Sequence, residues 1–370
     1  MATLTQPSPS IHVASQSQPE SLEAAPVRDA LAAWLREQTD ARVVTIEALS
    51  KLTGGAIQEN WALSVRVEGG PFAGLHDWVV RTDSPSSIAV SRSRAEEFAL
   101  LEAAFKTGAT VPEPLWLNAD GLRSVGSSSV SQGRSFFVMK RVGGTASGHL
   151  LTSDPKLVED PDALSYSLGQ NLARIHSIAP GHPGLAFLPE PEQHAALADI
   201  ARYRAHLDDL GECNPILEWA LRWCEKNAPS PLAPRLIHRD FRTGNYMVDA
   251  GRLSGILDWE FAGWGDRRED LGWFTARCWR FARPDREAGG ISAIEPFLAG
   301  YRSEADLAIS EPELRFWQIM AHLRWAVIAL QQAARHTSGE QRSLELALTA
   351  QLVPGLELEI VRLIDGGFDD

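Results

Sequence analysis

Three cysteines, Cys213, Cys224 and Cys278, are all that 370 residues contain. They are too few and too widely spaced for a disulfide framework or a CxxC metal site, and an odd count reads as reduced thiols. Positive charge is also short: 35 Lys and Arg against 48 Asp and Glu leave a formal charge of −13. That excludes a basic face able to displace counterions from a phosphate backbone, so nucleic acid is not an expected partner. Residues 1–27 hold no Lys or Arg and no continuous apolar run, which argues against a signal or transit peptide. No stretch approaches the roughly 18 apolar residues of a membrane span. The G-x-S-x-G elbow and the H-E-x-x-H helix are missing as well, which removes two hydrolase classes. The absences together predict a cytoplasmic protein with neither membrane nor nucleic-acid partners; they leave open whether it is a monomer or a homodimer.

What is present is the composition of a soluble globular chain, 44% hydrophobic and 22% charged. The length suits two or three units, each able to bury a core. Residues 1–25, rich in Ser, Pro, Gln and Ala, read as a disordered tail. A short helix follows over Pro26–Gln38. From Val43 to Val80 the apolar period is two, as in strands: Val65 and Val67 alternate with Ser64, Arg66 and Glu68. Arg94–Ala104 has a helical stripe of Phe98, Leu101 and Phe105, and Phe136–Met139 is a further strand. Beyond Val142-Gly143-Gly144 the chain turns helical, with Leu164, Leu168, Leu172 and Ile175 on one stripe ending near His176. Residues 192–227, 312–336 and 341–363 continue the helical pattern. The expected division is a tail at 1–25, a strand-rich part at 26–141 and a helical part at 142–370.

Inside the helical part lies Leu236-Ile237-His238-Arg239-Asp240-Phe241-Arg242-Thr243-Gly244-Asn245, followed by Ile256-Leu257-Asp258-Trp259-Glu260. Short apolar runs at 235–237, 246–248 and 253–257 read as strands separated by turns. The spacing H-x-D-x-x-x-x-N belongs to kinase catalytic loops. Phosphoryl transfer needs a carboxylate that accepts the proton of an attacking hydroxyl, and oxygen ligands for the Mg²⁺ of a nucleoside triphosphate. Asp240 is the expected general base, Asn245 and Asp258 the expected metal ligands. The competing reading of Asp240 is a turn carboxylate capping local amides.

The block from His238 to Trp279 resembles the aminoglycoside phosphotransferase-type family of small-molecule kinases. Asp258-Trp259-Glu260 stands where protein kinases carry D-F-G, and Gly265-Asp266-Arg267-Arg268-Glu269-Asp270-Leu271-Gly272 resembles the family's G-D-P-x-x-D-L-A segment. Leu52-Thr53-Gly54-Gly55-Ala56-Ile57-Gln58-Glu59-Asn60 is similar to its N-terminal nucleotide loop. The resemblance runs from about residue 45 to about residue 335 and implies an α+β, bilobal protein-kinase-like fold. It implies ATP and Mg²⁺ as cofactors and a small-molecule hydroxyl as acceptor. It assigns Gly54 and Gly55 to the phosphate loop, Arg81 to the place of the phosphate-anchoring Lys, and Glu97 (or Glu96) to its carboxylate partner. Backbone between Met139 and Arg141 would meet the adenine. His238 and Asp270 would support the catalytic loop. Arg239 departs from the Gly usual in the aminoglycoside enzymes.

Trp273, Arg277 and Arg280 form an aromatic-basic group after Asp270, and His322, Arg324 and Trp325 form a second. Most of the twelve tryptophans are expected in the core. The arginines are the expected contacts for an anionic group on the acceptor, with surface ion pairs as the alternative. Asp258–Phe281 is most similar to kinase-like domains fused to acyl-CoA dehydrogenases and to uncharacterised bacterial relatives, which points to a hydroxy acid or hydroxyacyl thioester. The alternatives are a nucleotide-binding pseudokinase and an antibiotic kinase of the aminoglycoside or macrolide type. A protein kinase is disfavoured because no A-P-E segment follows Asp258.

Overall fold

The computed structural model describes residues 22, 24–52, 58–83, 92–122, 134–211 and 213–366. The tail expected at 1–25 lies almost wholly outside them. The chain divides into two units, residues 1–89 with 118–136 and residues 90–117 with 137–370.

In the first unit, α1 (Ala25–Gln38) carries Pro at its first turn, where an amide would be unpaired in any case, and buries Ala30, Leu31 and Leu35. Strands β1 (Val43–Lys51), β2 (Gln58–Glu68) and β3 (Gly74–Asp83) form an antiparallel meander. Val65 and Val67 point inward while Arg66 and Glu68 are exposed, as the period of two requires. The register sets Asn60 opposite Arg81, so their side chains share one face. Trp78 to Thr82 are buried without interruption. Strands β4 (Pro114–Asn118) and β5 (Phe136–Lys140) lie almost wholly in the second unit.

In the second unit, α2 (Arg94–Lys106) opens on a capping box in which Ser93 and Glu96 satisfy each other's amides. Leu100, Leu101, Ala103 and Ala104 are its buried apolar positions; Phe105, expected on the buried stripe, is 41% exposed. The segment after α2 was expected with the first part but is bonded into the helical unit. The Thr110 amide donates to Asn171 Oδ1 at 2.5 Å, and the Thr110 carbonyl accepts from the Ile256 amide at 2.9 Å.

Helices α3 (Gly148–Ser153) and α4 (Pro161–Ile175) follow, and the whole predicted stripe of α4 is buried. Next come α5 (Ala195–Leu210), α6 (Pro215–Asn227), β6 (Arg235–Ile237), β7 (Tyr246–Asp249) and β8 (Arg252–Ile256). The remainder is β9 (Gly263–Gly265), α7 (Arg268–Thr275), α8 (Ile294–Glu304), α9 (Glu311–Thr337), α10 (Leu344–Thr349) and α11 (Val353–Asp365). Helices α4 and α8 touch backbone to backbone. A Cβ on Gly169 would sit 2.0 Å from the Phe297 carbonyl oxygen, and one on Gly300 would sit 1.9 Å from that of Tyr166. Around α9, Phe316, Ile319, Met320, Leu323 and Val327 join residues of α5, α6 and α11 in one core, each large side chain contributing about 1.5–3 kcal/mol. Among the described residues no helix is long and apolar enough to cross a membrane.

Candidate active site

Two small antiparallel strand pairs frame the loop that carries Asp240. Strand β6 pairs antiparallel with β9, and β7 with β8, so residues 238–245 leave one pair and enter the other. The Leu257 amide donates to the Asn245 carbonyl at 2.8 Å, which ties the segment after β8 to the end of that loop. Asp258 therefore follows directly on a residue bonded to Asn245.

Asp270, on α7, holds the loop from beneath. It is fully buried, and its carboxylate accepts from the His238 and Arg239 amides, each at 2.7 Å, and from His176 Nε2 at 3.0 Å. Burial alone would push its pKa up, but these donors hold it below the ordinary carboxylate range. Burial keeps His176 below its usual pKa, against the pull of Asp270; its Nδ1 pairs with the Tyr301 hydroxyl at 2.8 Å. The loop-support role expected of Asp270 has a physical form here: two amides of a tight turn, otherwise unpaired, end on one ionised carboxylate. Arg239 pays for this turn with φ +64°. Arg324 donates to its carbonyl, Asp270 accepts from its amide, and its guanidinium lies 4.0 Å from Glu269. Burial raises Glu269 to about 7, opposed by Arg239.

His238 packs inside with no exposed surface, its ring 4.8 Å from Trp259. Its Nε2 lies 2.8 Å from the Leu257 carbonyl, which can only accept, so Nε2 carries the proton and Nδ1 accepts from the Asp240 amide at 3.3 Å. Both ring nitrogens are used by backbone, which fits support of the loop.

The Asp240 carboxylate is largely covered, at 15% side-chain exposure. Oδ1 accepts from Trp273 Nε1 at 2.9 Å and from Arg242 Nε at 3.2 Å, and Oδ2 accepts from Asn245 Nδ2 at 2.5 Å. A carboxylate has about four lone-pair sites. Three are taken, and the fourth, on Oδ2, is left for a hydroxyl. Asn245 Nδ2 also donates to the Asp240 carbonyl at 2.9 Å. Both of its partners are pure acceptors, so the amide orientation is fixed and Asn245 Oδ1 does not face the Asp240 oxygens. Asp258, half-buried at φ +59°, would supply the second oxygen donor. Mg²⁺ is commonly bound by one or two protein oxygens, with waters and phosphates completing its shell, so this donor set fits it. Among the described residues there is no cluster of three His, Cys, Asp or Glu that could hold a metal without phosphate.

Trp273 is buried and bonded to Asp240, while Arg277 and Arg280 are held elsewhere. Arg277 is 47% exposed beside Glu359 at 3.5 Å. Arg280 donates to the Thr275 carbonyl at 2.8 and 3.1 Å and to the Pro284 carbonyl at 2.6 Å, with Glu287 at 3.4 Å. The arginines on the Asp240 cluster are others. Arg242 lies 4.5 Å over the Trp279 ring, and Arg324 lies 4.5 Å over Trp273. Arg324 stood in the second aromatic-basic group of the sequence; nothing in the sequence singled out Arg242.

In the first unit, Arg81 is buried and donates to Asn60 at 3.2 Å. Beside it on β2, Glu59 takes Lys51 at 2.7 Å and Arg134 at 3.4 Å. Gly54 and Gly55 lie outside the described residues. In the second unit Glu97 is buried and paired with Arg94, while Glu96 serves the helix cap, which separates the two candidates. Met139 is buried in β5, and Arg141 is exposed just after it.

The family model described as the phosphotransferase enzyme family matches residues 48–308. The chain belongs to that family. Its members are enzymes that phosphorylate hydroxyl groups of small molecules, and this chain is a small-molecule phosphotransferase. Solved structures agree on the kinase-like α+β fold. A Ralstonia eutropha protein described provisionally as an aminoglycoside phosphotransferase is 19% identical, with 92% of this chain and 98% of that one covered at a TM-score of 0.69. A macrolide 2′-phosphotransferase from Brachybacterium faecium is 18% identical, covering 88% and 98% at 0.53. A choline/ethanolamine kinase family protein from Mesorhizobium loti is 18% identical, covering 86% and 88% at 0.54. An aminoglycoside phosphotransferase at 0.54, 16% identical over 90% and 98%, was solved with AMP-PNP and hygromycin B.

Proposed function

We propose that this phosphotransferase moves the γ-phosphate of ATP, with Mg²⁺, to the hydroxyl of a small hydroxy acid or hydroxyacyl thioester. The observation that carries the reading is the Asn245 amide, locked by Asp240 so that its own oxygen does not face that carboxylate, while one lone pair of Asp240 Oδ2 stays open to a hydroxyl. The acceptor oxygen attacks the γ-phosphorus as its proton passes to Asp240; the bond from that phosphorus to the β-bridging oxygen breaks, and ADP leaves. Asn245 and Asp258 would hold the metal, which neutralises charge on the β- and γ-phosphates. Arg81 would anchor the nucleotide phosphates with Glu97 as its counter-charge, and backbone from Met139 to Arg141 would line the adenine. Trp273 holds the base in place through its indole N–H.

Relatives of this fold act on antibiotics, as hygromycin B and the macrolide 2′-phosphotransferase illustrate. A polycation needs carboxylates around the base. Here Arg242 and Arg324 stand there instead, which favours an acceptor without positive charge. The test is a screen of the full-length protein with γ-labelled ATP and Mg²⁺ against hydroxylated metabolites, hydroxy acids and their thioesters included, beside aminoglycosides and macrolides. Label appearing in a hydroxy acid or thioester supports the reading; label only in an antibiotic, or in none, overturns it.

A further inference from the structure

Arg242 is fixed on three sides, and its one carboxylate partner, Asp240, meets only its Nε. Its Nε shares Asp240 Oδ1 with Trp273. One face of the guanidinium lies 4.5 Å over the Trp279 ring. Gly244 approaches so closely that a Cβ there would come 2.9 Å from Arg242 Nη1. Its Nη1 has only a long bond to the Thr243 carbonyl, at 3.4 Å, and its Nη2 has no hydrogen-bond partner among the described residues. The side chain is 26% exposed, so this unfilled edge is reachable. Neighbouring arginines differ. Arg268 is clasped by Asp266 and Glu313, Arg204 by Glu218 and Glu225, and Arg280 ends on two carbonyls and Glu287.

A guanidinium is a planar fork whose donors match carboxylate or phosphate oxygens two at a time. Stacking on an indole and contact with Gly244 keep that fork in one orientation, so little side-chain freedom remains to be lost on binding. The Nε end of the fork is already on Asp240, whose Oδ2 keeps one site for a hydroxyl. A ligand that uses both must therefore carry its anionic group only a few bonds from its hydroxyl.

We propose that Arg242 is the acceptor-selecting residue, binding a carboxylate or phosphate on the acceptor a short chain away from the reacting hydroxyl. The inference rests on the reading of Asp240 as the base of a phosphotransferase and names the group that its acceptor carries. It places the selection in the catalytic loop rather than at Arg277 or Arg280. A cationic substituent at the same position meets a fixed like charge and is rejected.

The experiment is calorimetric titration of the full-length protein, with and without Mg·AMP-PNP. The probes are lactate, 3-hydroxybutyrate, 4-hydroxybutyrate and glycerol 3-phosphate, each against a neutral counterpart, the carboxamide or glycerol. The expected result is that at least one anion binds roughly ten- to a hundredfold more tightly than its counterpart, the range of a charge-assisted hydrogen bond. Arg242→Gln should bring that ratio close to one, while Arg277→Gln leaves it unchanged. Which of carboxylate and phosphate is taken follows from the two arms. A merely structural Arg242 would weaken anion and neutral probe alike and leave their ratio intact. That result, or parity between anion and counterpart in the wild type, overturns the proposal. Binding of Mg·AMP-PNP in the same samples tests the phosphotransferase reading separately, since its loss would sink that reading whatever the anion ratio.

Discussion

Asn245 clamps Asp240 from both ends, donating through one nitrogen to its carbonyl at 2.9 Å and to its carboxylate at 2.5 Å. The consequence is directional: a single amide holds the Asp240 carboxylate in position and, in the same orientation, keeps its own oxygen free of it, as the proposed metal role requires. Asp258→Ala removes the only carboxylate assigned to that metal. Its affinity for Mg·AMP-PNP should fall at least tenfold, while its weak binding of AMP-PNP without metal stays as in the wild type. Calorimetry with and without Mg²⁺ separates the two. An unchanged metal dependence would take Asp258 out of the site.

The Trp273 indole N–H is the donor on the other oxygen of the base. Trp273→Phe keeps an aromatic ring near Arg324 and Trp279 but removes that hydrogen bond. Bonds to charged groups contribute about 1.5–3 kcal/mol, so kcat/KM should drop roughly ten- to a hundredfold with Mg·ATP affinity unaffected. If steady-state rates are the same in the variant, the indole is only packing.

His322 offers a test of pH dependence. It is fully buried, its Nδ1 paired with the Gln318 carbonyl at 2.7 Å, and burial lowers its pKa from 6.5 to about 4. Between those values the unfolded chain binds a proton that the folded one refuses, so stability falls as pH drops from about 6.5 toward 4. The gap of 6.5 − 4 = 2.5 corresponds to about 3 kcal/mol. His176 titrates in the same direction and Glu269, raised to about 7, in the opposite one; both remain in His322→Gln. Urea unfolding from pH 4 to 7.5 should therefore show a wild-type-minus-variant difference that grows steadily more unfavourable to the wild type in acid. A difference that is flat with pH would mean His322 does not stay neutral in the fold.

The contact of α4 with α8 predicts a purely structural outcome. Gly169→Ala would drive a methyl into the Phe297 carbonyl, and overpacking of this kind costs about 1–3 kcal/mol or more. Thermal denaturation should register a loss of several degrees. A variant as stable as the wild type would mean the two helices separate without cost.

The parts of this arrangement that could be read from the sequence are the local ones. Strands β6, β7 and β8 fall within a residue or two of the apolar runs that announced them, because short strands between tight turns are specified by their own residues. Asp240, Asn245 and Asp258 were legible because a loop and its following hairpin are contiguous, so spacing alone carries geometry. Asp270 required resemblance to a known motif, since it acts on a loop some thirty residues before it. His176 could not be found, because its bond to Asp270 spans 94 residues of sequence and nothing local requires it. The surroundings of Arg277 and Arg280, the expected substrate contacts, could not be read for a similar reason. Helical spacing put Arg277 and Arg280 near Trp273, but the helix ends at Thr275, and the turn beyond it carries Arg277 to Glu359 and Arg280 to backbone carbonyls. The division between the two units shifted because Thr110 bonds to Asn171 and Ile256, pairings with no signature in residues 107–113.

Asp240→Asn tests the central claim most directly. The substitution is nearly isosteric and leaves Asn245 and Asp258 in place, but it removes the carboxylate that takes the acceptor's proton. Single-turnover transfer of label from γ-labelled ATP, with Mg·AMP-PNP affinity measured on the same preparation, should show affinity kept and transfer slowed on the order of 10²–10⁴-fold. Transfer at the wild-type rate to the same acceptor, with affinity equally intact, would contradict Asp240 as the base and with it the chemistry assigned to this loop.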